Sequence, residues 1–261
     1  FFNNYLVKSK KSYTPQNIGE LKNNYDLFIS GSDQVWSPRC VGFDPAYFLT
    51  FADDRQKYSY AASFAVPTLP DEFIDEYKKR LNGFQKFSVR EPSGEKLVKE
   101  LTGRTAETHL DPTLLISADE WKKIAVSKID KPYILIFTAN PAVSLVDFAL
   151  KLSKEKKLPV YCINDAPHPV SHGINYIVAP TVEEFVGCFK NAEYVVTNSF
   201  HGTAFSVIFN KNLFVEFKNK SGRNIRSEGL LKSLGIDREI VDGNCRETEI
   251  NWYDVNEKIK N

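Results

Sequence analysis

Methionine is missing from all 261 residues of this chain, where ordinary usage supplies about five in such a length. With an opening Phe1 in place of an initiator methionine, the absence predicts a fragment, or a sequence that has lost modified residues and shifted some spacings by one. Cysteine is scarce as well. Cys40, Cys162, Cys188 and Cys245 lie far apart, with no CxxC or paired Cys/His spacing. That argues against zinc and for reduced thiols in a cytoplasmic protein. An excess of one charge is also lacking: 34 Lys and Arg face 33 Asp and Glu. No global field draws the chain to nucleic acid or an anionic membrane, so an anionic ligand needs a local cluster. No apolar run approaches the ~18 residues of a membrane span, and no signal-peptide pattern opens the chain. The expectation is a cytoplasmic protein without an integral membrane segment, a metal or a cofactor.

Apolar residues make up 42% of the chain and aromatics 13%, enough to fill two modest cores. After a loop-like start to Gln16, Asn17 to Tyr25 reads as a short helix and Asp26–Ser30 as a buried strand. A second strand covers Lys57–Phe64, and Phe73, Tyr77, Leu81 and Phe84 recur at helical spacing. Strand Phe87–Arg90 leads to a helix from Ser93 to about Leu101, stopped by Gly103. The second half repeats the rhythm more cleanly. Its strands are Tyr133–Phe137, Pro159–Ile163, Ile174–Val178, Tyr194–Thr197 and Leu213–Phe217. Helices from Ser144, Val182 and Arg226 stand among them, and another runs from the Asn198–Thr203 stretch to about Asn210. Short, solidly apolar runs between helices are the mark of parallel strands covered on both faces. The fold class is therefore α/β, with two Rossmann-like doubly wound domains divided near Ala118 to Lys131, at 1–120 and 121–261. The first looks truncated at its amino terminus, because nothing before Tyr25 supplies the usual opening strand and glycine turn.

In open α/β sheets, ligands bind beyond the carboxyl ends of the strands. Three strand exits are chemically loaded. The first is Gly31-Ser-Asp-Gln-Val-Trp36, where Gly31 permits a turn and Ser32, Asp33 and Gln34 crowd polar groups onto one loop. The plain alternative is a helix cap with Trp36 in the core. The second is Ser88-Val-Arg-Glu91, a strand ending in a guanidinium that can grip a carboxylate or phosphate through two parallel hydrogen bonds. Its alternative is an Arg90–Glu91 or interdomain ion pair. The third is Thr197-Asn-Ser-Phe-His-Gly-Thr203. There Asn198, Ser199, His201, Gly202 and Thr203 surround a helix start whose backbone N–H groups favour an anion. Arg223 and Arg226 form a basic cluster near a fourth exit, either a phosphate clamp or a solvated loop. His109, His168 and His172 lack such company.

These motifs, with Leu110-Asp-Pro-Thr-Leu-Leu115 and the continuation to Ser206, resemble the polysaccharide pyruvyl transferase family in type and order, from about Tyr25 to Leu234. The resemblance implies two Rossmann-like domains facing a cleft, as in GT-B glycosyltransferases. It also implies phosphoenolpyruvate as donor and a saccharide acceptor, possible in lipid-linked form at the inner membrane surface. Carried over by motif, Arg90 and His201 bind the donor, and His201 is also a candidate acid.

Ketal formation needs a proton on the enol carbon and a sugar hydroxyl attacking the central carbon. His201 suits the proton or the departing phosphate, Arg90 the donor charge, and Asp33 the acceptor's proton. Asp111, before Pro112, suits a turn cap instead. Ser32, Gln34, Asn198, Ser199, Gly202, Thr203, Arg223 and Arg226 complete the candidate donor site. Two rivals stand beside this reading: a GT-B glycosyltransferase using a nucleotide-sugar, and a non-catalytic glycan-binding relative.

Overall fold

The computed structural model describes residues 5–40, 43–139, 142–164, 173–217, 224–240, 243–245 and 248–260. The chain divides into two compact units. The amino-terminal unit comprises Val7–Leu115 with Ser221–Gly229, and the carboxyl-terminal unit comprises Ile116–Lys220 and Leu230–Asn261 with Phe1–Leu6.

In the amino-terminal unit, β1 (Phe28–Gly31) pairs with β2 (Lys57–Tyr60), and β3 (Ser88–Val89) with β4 (Glu107–Thr108), all parallel. Isolated bridges Tyr58–Lys86 and Ala62–Val89 join the two pairs, so four strand exits point the same way. Helices α1 (Ile74–Leu81) and α2 (Pro92–Thr102) complete the layer. Pro92 starts α2, and Gly103 at φ +74° ends it in the left-handed conformation open to a residue without a Cβ. Trp36 anchors the core, fully buried among Phe48, Phe64, Phe84 and Phe87. The Tyr77 hydroxyl donates to the Trp36 carbonyl at 2.6 Å, which satisfies two buried polar groups at once.

Three expectations change here. Asn17 to Tyr25 is a 3₁₀ turn over Ile18–Asn23 with no buried residue, because no apolar stripe anchors a longer helix. The second strand stops at Tyr60 rather than Phe64, where the backbone leaves the ladder and Ala61 takes a positive φ. Coverage on both faces also fails: Leu27 and Ile29 remain 51% and 60% exposed. With Tyr58, Tyr60, Phe87 and Arg104 they line a cavity of about 500 Å³.

The carboxyl-terminal unit holds β5 (Ile134–Phe137), β6 (Val160–Asn164), β7 (Ile174–Val178), β8 (Tyr194–Thr197) and β9 (Asn212–Val215). Their order is β7-β6-β5-β8-β9, parallel throughout. This is the doubly wound order that reverses direction beside its first strand. The helices are α3 (Ala118–Ile124), α4 (Val143–Lys156), α5 (Val182–Asn191), α6 (Phe200–Ile208) and α8 (Trp252–Lys260). Helix α7 (Ile225–Leu234) begins among residues grouped with the other unit.

Alternation along β5 explains the layers. Ile134 and Ile136 pack with Leu145, Phe148 and Leu152 of α4, while Phe137 meets Phe185 and Phe189 of α5. Thr181 and Glu184 form a reciprocal capping box that fixes the start of α5. No helix among the described residues is long and apolar enough to cross a membrane.

Candidate functional site

The exits of the amino-terminal unit converge on an ion-pair network. Gly31 matters for closeness rather than for a turn: a Cβ there would lie 2.0 Å from the Tyr60 carbonyl oxygen. The left-handed residues are the next two, Ser32 at φ +57° and Asp33 at φ +56°. They bring both side chains over the end of the sheet, and Asp33 caps no helix. Trp36 does lie in the core, as the plain alternative held.

Arg90 leaves β3 into this loop with only 2% of its side chain exposed. Its Nη2 lies 2.7 Å from Asp111 Oδ2 and donates to Ser32 Oγ at 3.1 Å. Ser32 Oγ in turn donates to Asp111 Oδ2 at 3.2 Å. Arg90 Nη1 reaches Asp33 Oδ1 at 3.4 Å, and Arg226 Nη1 reaches the same oxygen at 2.7 Å. Asp33 is thus shared by two guanidinium groups. Burial pushes the Arg226 guanidinium below its ordinary range, and the Asp33 charge opposes that shift.

The Arg90–Glu91 pair is not formed. Glu91 Oε1 instead accepts from Ser63 Oγ and the Phe64 and Ala65 amides at 3.0, 3.0 and 3.2 Å. All the salt-bridge partners of Arg90 named above lie within the amino-terminal unit, so no interdomain pair is among them. Burial raises the Glu91 carboxyl above its usual range, with the bonds from Ser63 and Ala65 and the charges of Arg90 and Arg226 opposing. Asp111 does cap its turn, since Oδ1 accepts from Thr113 N at 3.0 Å and Thr113 Oγ1 at 2.7 Å. Its second role, as the buried counter-ion of Arg90, was signalled only by its place at a strand exit. Gln34 accepts a hydrogen bond from Cys40 Sγ. His109 has more company than expected, with Nδ1 3.0 Å from Ser88 Oγ.

The carboxyl-terminal unit builds its exit differently. The sheet reverses direction between β5 and β8, and the third motif begins there. Asn198 Oδ1 accepts from Ala139 N at 2.9 Å, tying the two exits together. Ser199 caps α6, and His201 stands half-buried in the first turn with its ring against Phe200. Three neighbours serve the fold more than a ligand. A Cβ on Gly202 would lie 2.2 Å from Thr197 Oγ1, so this glycine lets α6 close onto its own sheet. Thr203 Oγ1 donates to Ser199 O at 3.0 Å with no exposed surface, and Ser199 is itself buried. Neither offers the open donor expected.

Glu216, at the exit of β9, was missed. It is buried, Oε1 accepts from Ser144 Oγ, and Oε2 has no hydrogen-bond partner among the described residues. A lone acid in the apolar run Leu213–Phe217 was the available signal. Arg226 is no solvated loop residue, being 90% buried at its side chain against Asp33. Arg223, His168 and His172 lie outside the described residues.

A search of curated proteins finds no match. Among solved structures, the chain is similar to UDP-GlcNAc 2-epimerase of Methanocaldococcus jannaschii in complex with UDP-GlcNAc and UDP. The two share 11% identity at a TM-score of 0.41, over 69% of this chain and 55% of that one. The chain thus spans about half the length of that structure. A family profile described as polysaccharide pyruvyl transferase matches residues 1–215. That match takes in Asp33, Arg90, Asp111 and the His201 helix start, and covers most of the chain, which therefore belongs to the polysaccharide pyruvyl transferase family.

Proposed function

We propose that the protein transfers a pyruvyl group from phosphoenolpyruvate to a pair of saccharide hydroxyls, forming a ketal and releasing phosphate. The observation that carries this reading is the buried pair Arg90 and Arg226, both turned on one exposed carboxylate. A small ligand bearing phosphate and carboxylate groups is the natural partner for two guanidinium groups already withdrawn from water.

Chemistry follows from the residue types. A proton must reach the enol carbon, leaving cationic character at the central carbon. One sugar hydroxyl then attacks that carbon, phosphate departs, and the second hydroxyl closes the ketal. His201 is the candidate to deliver the proton or to hold the departing phosphate. Arg90, fixed by Asp111, and Arg226 hold donor charge, and Asp33 can take a proton from the acceptor. Ser32 orients Arg90, Gln34 is a further candidate for the donor, and Asn198 fixes the loop that precedes His201, while Ser199, Gly202 and Thr203 hold the helix start. The reading includes a cytoplasmic enzyme acting on a lipid-linked saccharide at the inner membrane surface.

The test is phosphate release from phosphoenolpyruvate against a panel of saccharides. Release that depends on the saccharide is expected. Turnover with a nucleotide-sugar and none with phosphoenolpyruvate would overturn the reading in favour of a glycosyltransferase.

A further inference from the structure

Asp33 sits in an unusual position for a catalytic base. Its Oδ1 is the meeting point of Arg226 Nη1 at 2.7 Å and Arg90 Nη1 at 3.4 Å. The two guanidinium side chains are 10% and 2% exposed, whereas that of Asp33 is 57% exposed. The cations are therefore fixed in the fold and the anion is the accessible member. Two buried guanidinium groups cost a great deal without negative charge beside them. Asp111 serves Arg90 from the buried side, Glu91 lies close enough to act on both, and Asp33 closes the outer side.

From this arrangement we infer that Asp33 is an internal anion standing where an anionic group of the ligand binds, and that a phosphate group takes Arg226 and Arg90 by displacing it. This rests on the reading of the cluster as an anion site and deepens it. One carboxylate oxygen now serves both guanidinium groups, and the Arg90 contact is the longer. A phosphate offers a separate oxygen to each, with fork geometry that a single shared atom denies. Asp33 competes from within the chain, so apparent affinity is the intrinsic affinity multiplied by the fraction of molecules in which the carboxylate is away. It thereby sets a threshold: an ion that merely equals a carboxylate does not enter, and one that grips both arginines does.

Inorganic phosphate and acetate are the probes, titrated calorimetrically into wild type, Asp33→Ala and Asp33→Asn. Displacement predicts that Asp33→Ala binds phosphate at least tenfold more tightly and gains measurable acetate binding. Asp33→Asn, which keeps an acceptor without the charge, falls between. Adding Arg226→Gln to Asp33→Ala removes the gain. Phosphate affinity unchanged or weakened in both Asp33 variants would overturn the inference, as would a gain that survives Arg226→Gln. Should Asp33→Ala fail to fold, Asp33→Asn decides by the same criterion. Affinity for phosphate is read without turnover. Absence of phosphoenolpyruvate chemistry would thus sink the proposed function and leave this inference standing, while unchanged affinity would do the reverse.

Discussion

The amino-terminal unit closes its strand exits with charge, and the carboxyl-terminal unit closes the exits of β5 and β8 with neutral hydrogen bonds and close packing. In the first, Arg90, Arg226, Asp33 and Asp111 share atoms in a network whose innermost members are out of water. In the second, Thr197 Oγ1 donates to the Phe137 carbonyl at 2.6 Å, Asn198 ties two loops, and Gly202 lets α6 down onto the sheet. The difference teaches a division of labour. A charged network holds an ion but is sensitive to the loss of any member, whereas a packed neutral helix start positions one side chain, His201, at little electrostatic cost.

The largest effect expected from breaking this comparison is Asp111→Ala. It strips the fully buried counter-ion from Arg90 and should cost about 3–5 kcal/mol, the scale of an ion left buried without its partner. Chemical denaturation checks it. A loss under about 1 kcal/mol, the scale of an exposed pair, would show that Arg90 is not held by Asp111.

His201→Ala comes next. Turnover should fall roughly a hundredfold or more, the scale of a lost acid–base group, with stability nearly unchanged because the ring is half-buried. His201→Gln sharpens the role, since an amide donates a hydrogen bond but delivers no proton. Retained donor affinity with lost turnover assigns acid catalysis, and loss of both assigns binding.

The smallest effect concerns pH. Glu91 titrates above its ordinary 4.5 in the folded chain. Its contribution to stability is then full below that value and is lost as pH rises through the folded pKa, where a buried carboxyl must ionise. Glu91→Gln should flatten that part of the stability–pH curve. A wild-type curve rising over the same range, unaltered by the substitution, would contradict the assignment.

Much of this was legible in the residues. Ile174–Val178, Tyr194–Thr197 and the helix Val182–Asn191 stand where periodicity and capping put them, because parallel central strands and a Thr-Val-Glu-Glu cap leave strong local signals. Helix α8 went unassigned, although Asn251 caps it and Val255 is its buried residue. One turn of apolar contact in a charged stretch is a faint signal. The site was legible as motifs but not as partners. Arg90 carries no mark in the sequence that it will meet Asp111 rather than its neighbour Glu91, since that choice is made by the loops after β1 and β4. Gly31 and Gly202 were read as allowances for a turn and a ligand, but both answer to contacts made on folding.

The central claim is that the guanidinium groups of the amino-terminal unit hold the donor. Calorimetric titration of phosphoenolpyruvate into wild type and Arg90→Lys tests it most directly. Lysine keeps the charge but replaces a planar fork with a point, so donor affinity should fall about tenfold or more. An Arg90→Lys protein that binds phosphoenolpyruvate as tightly as wild type would contradict the account and leave Arg90 as a structural partner of Asp111.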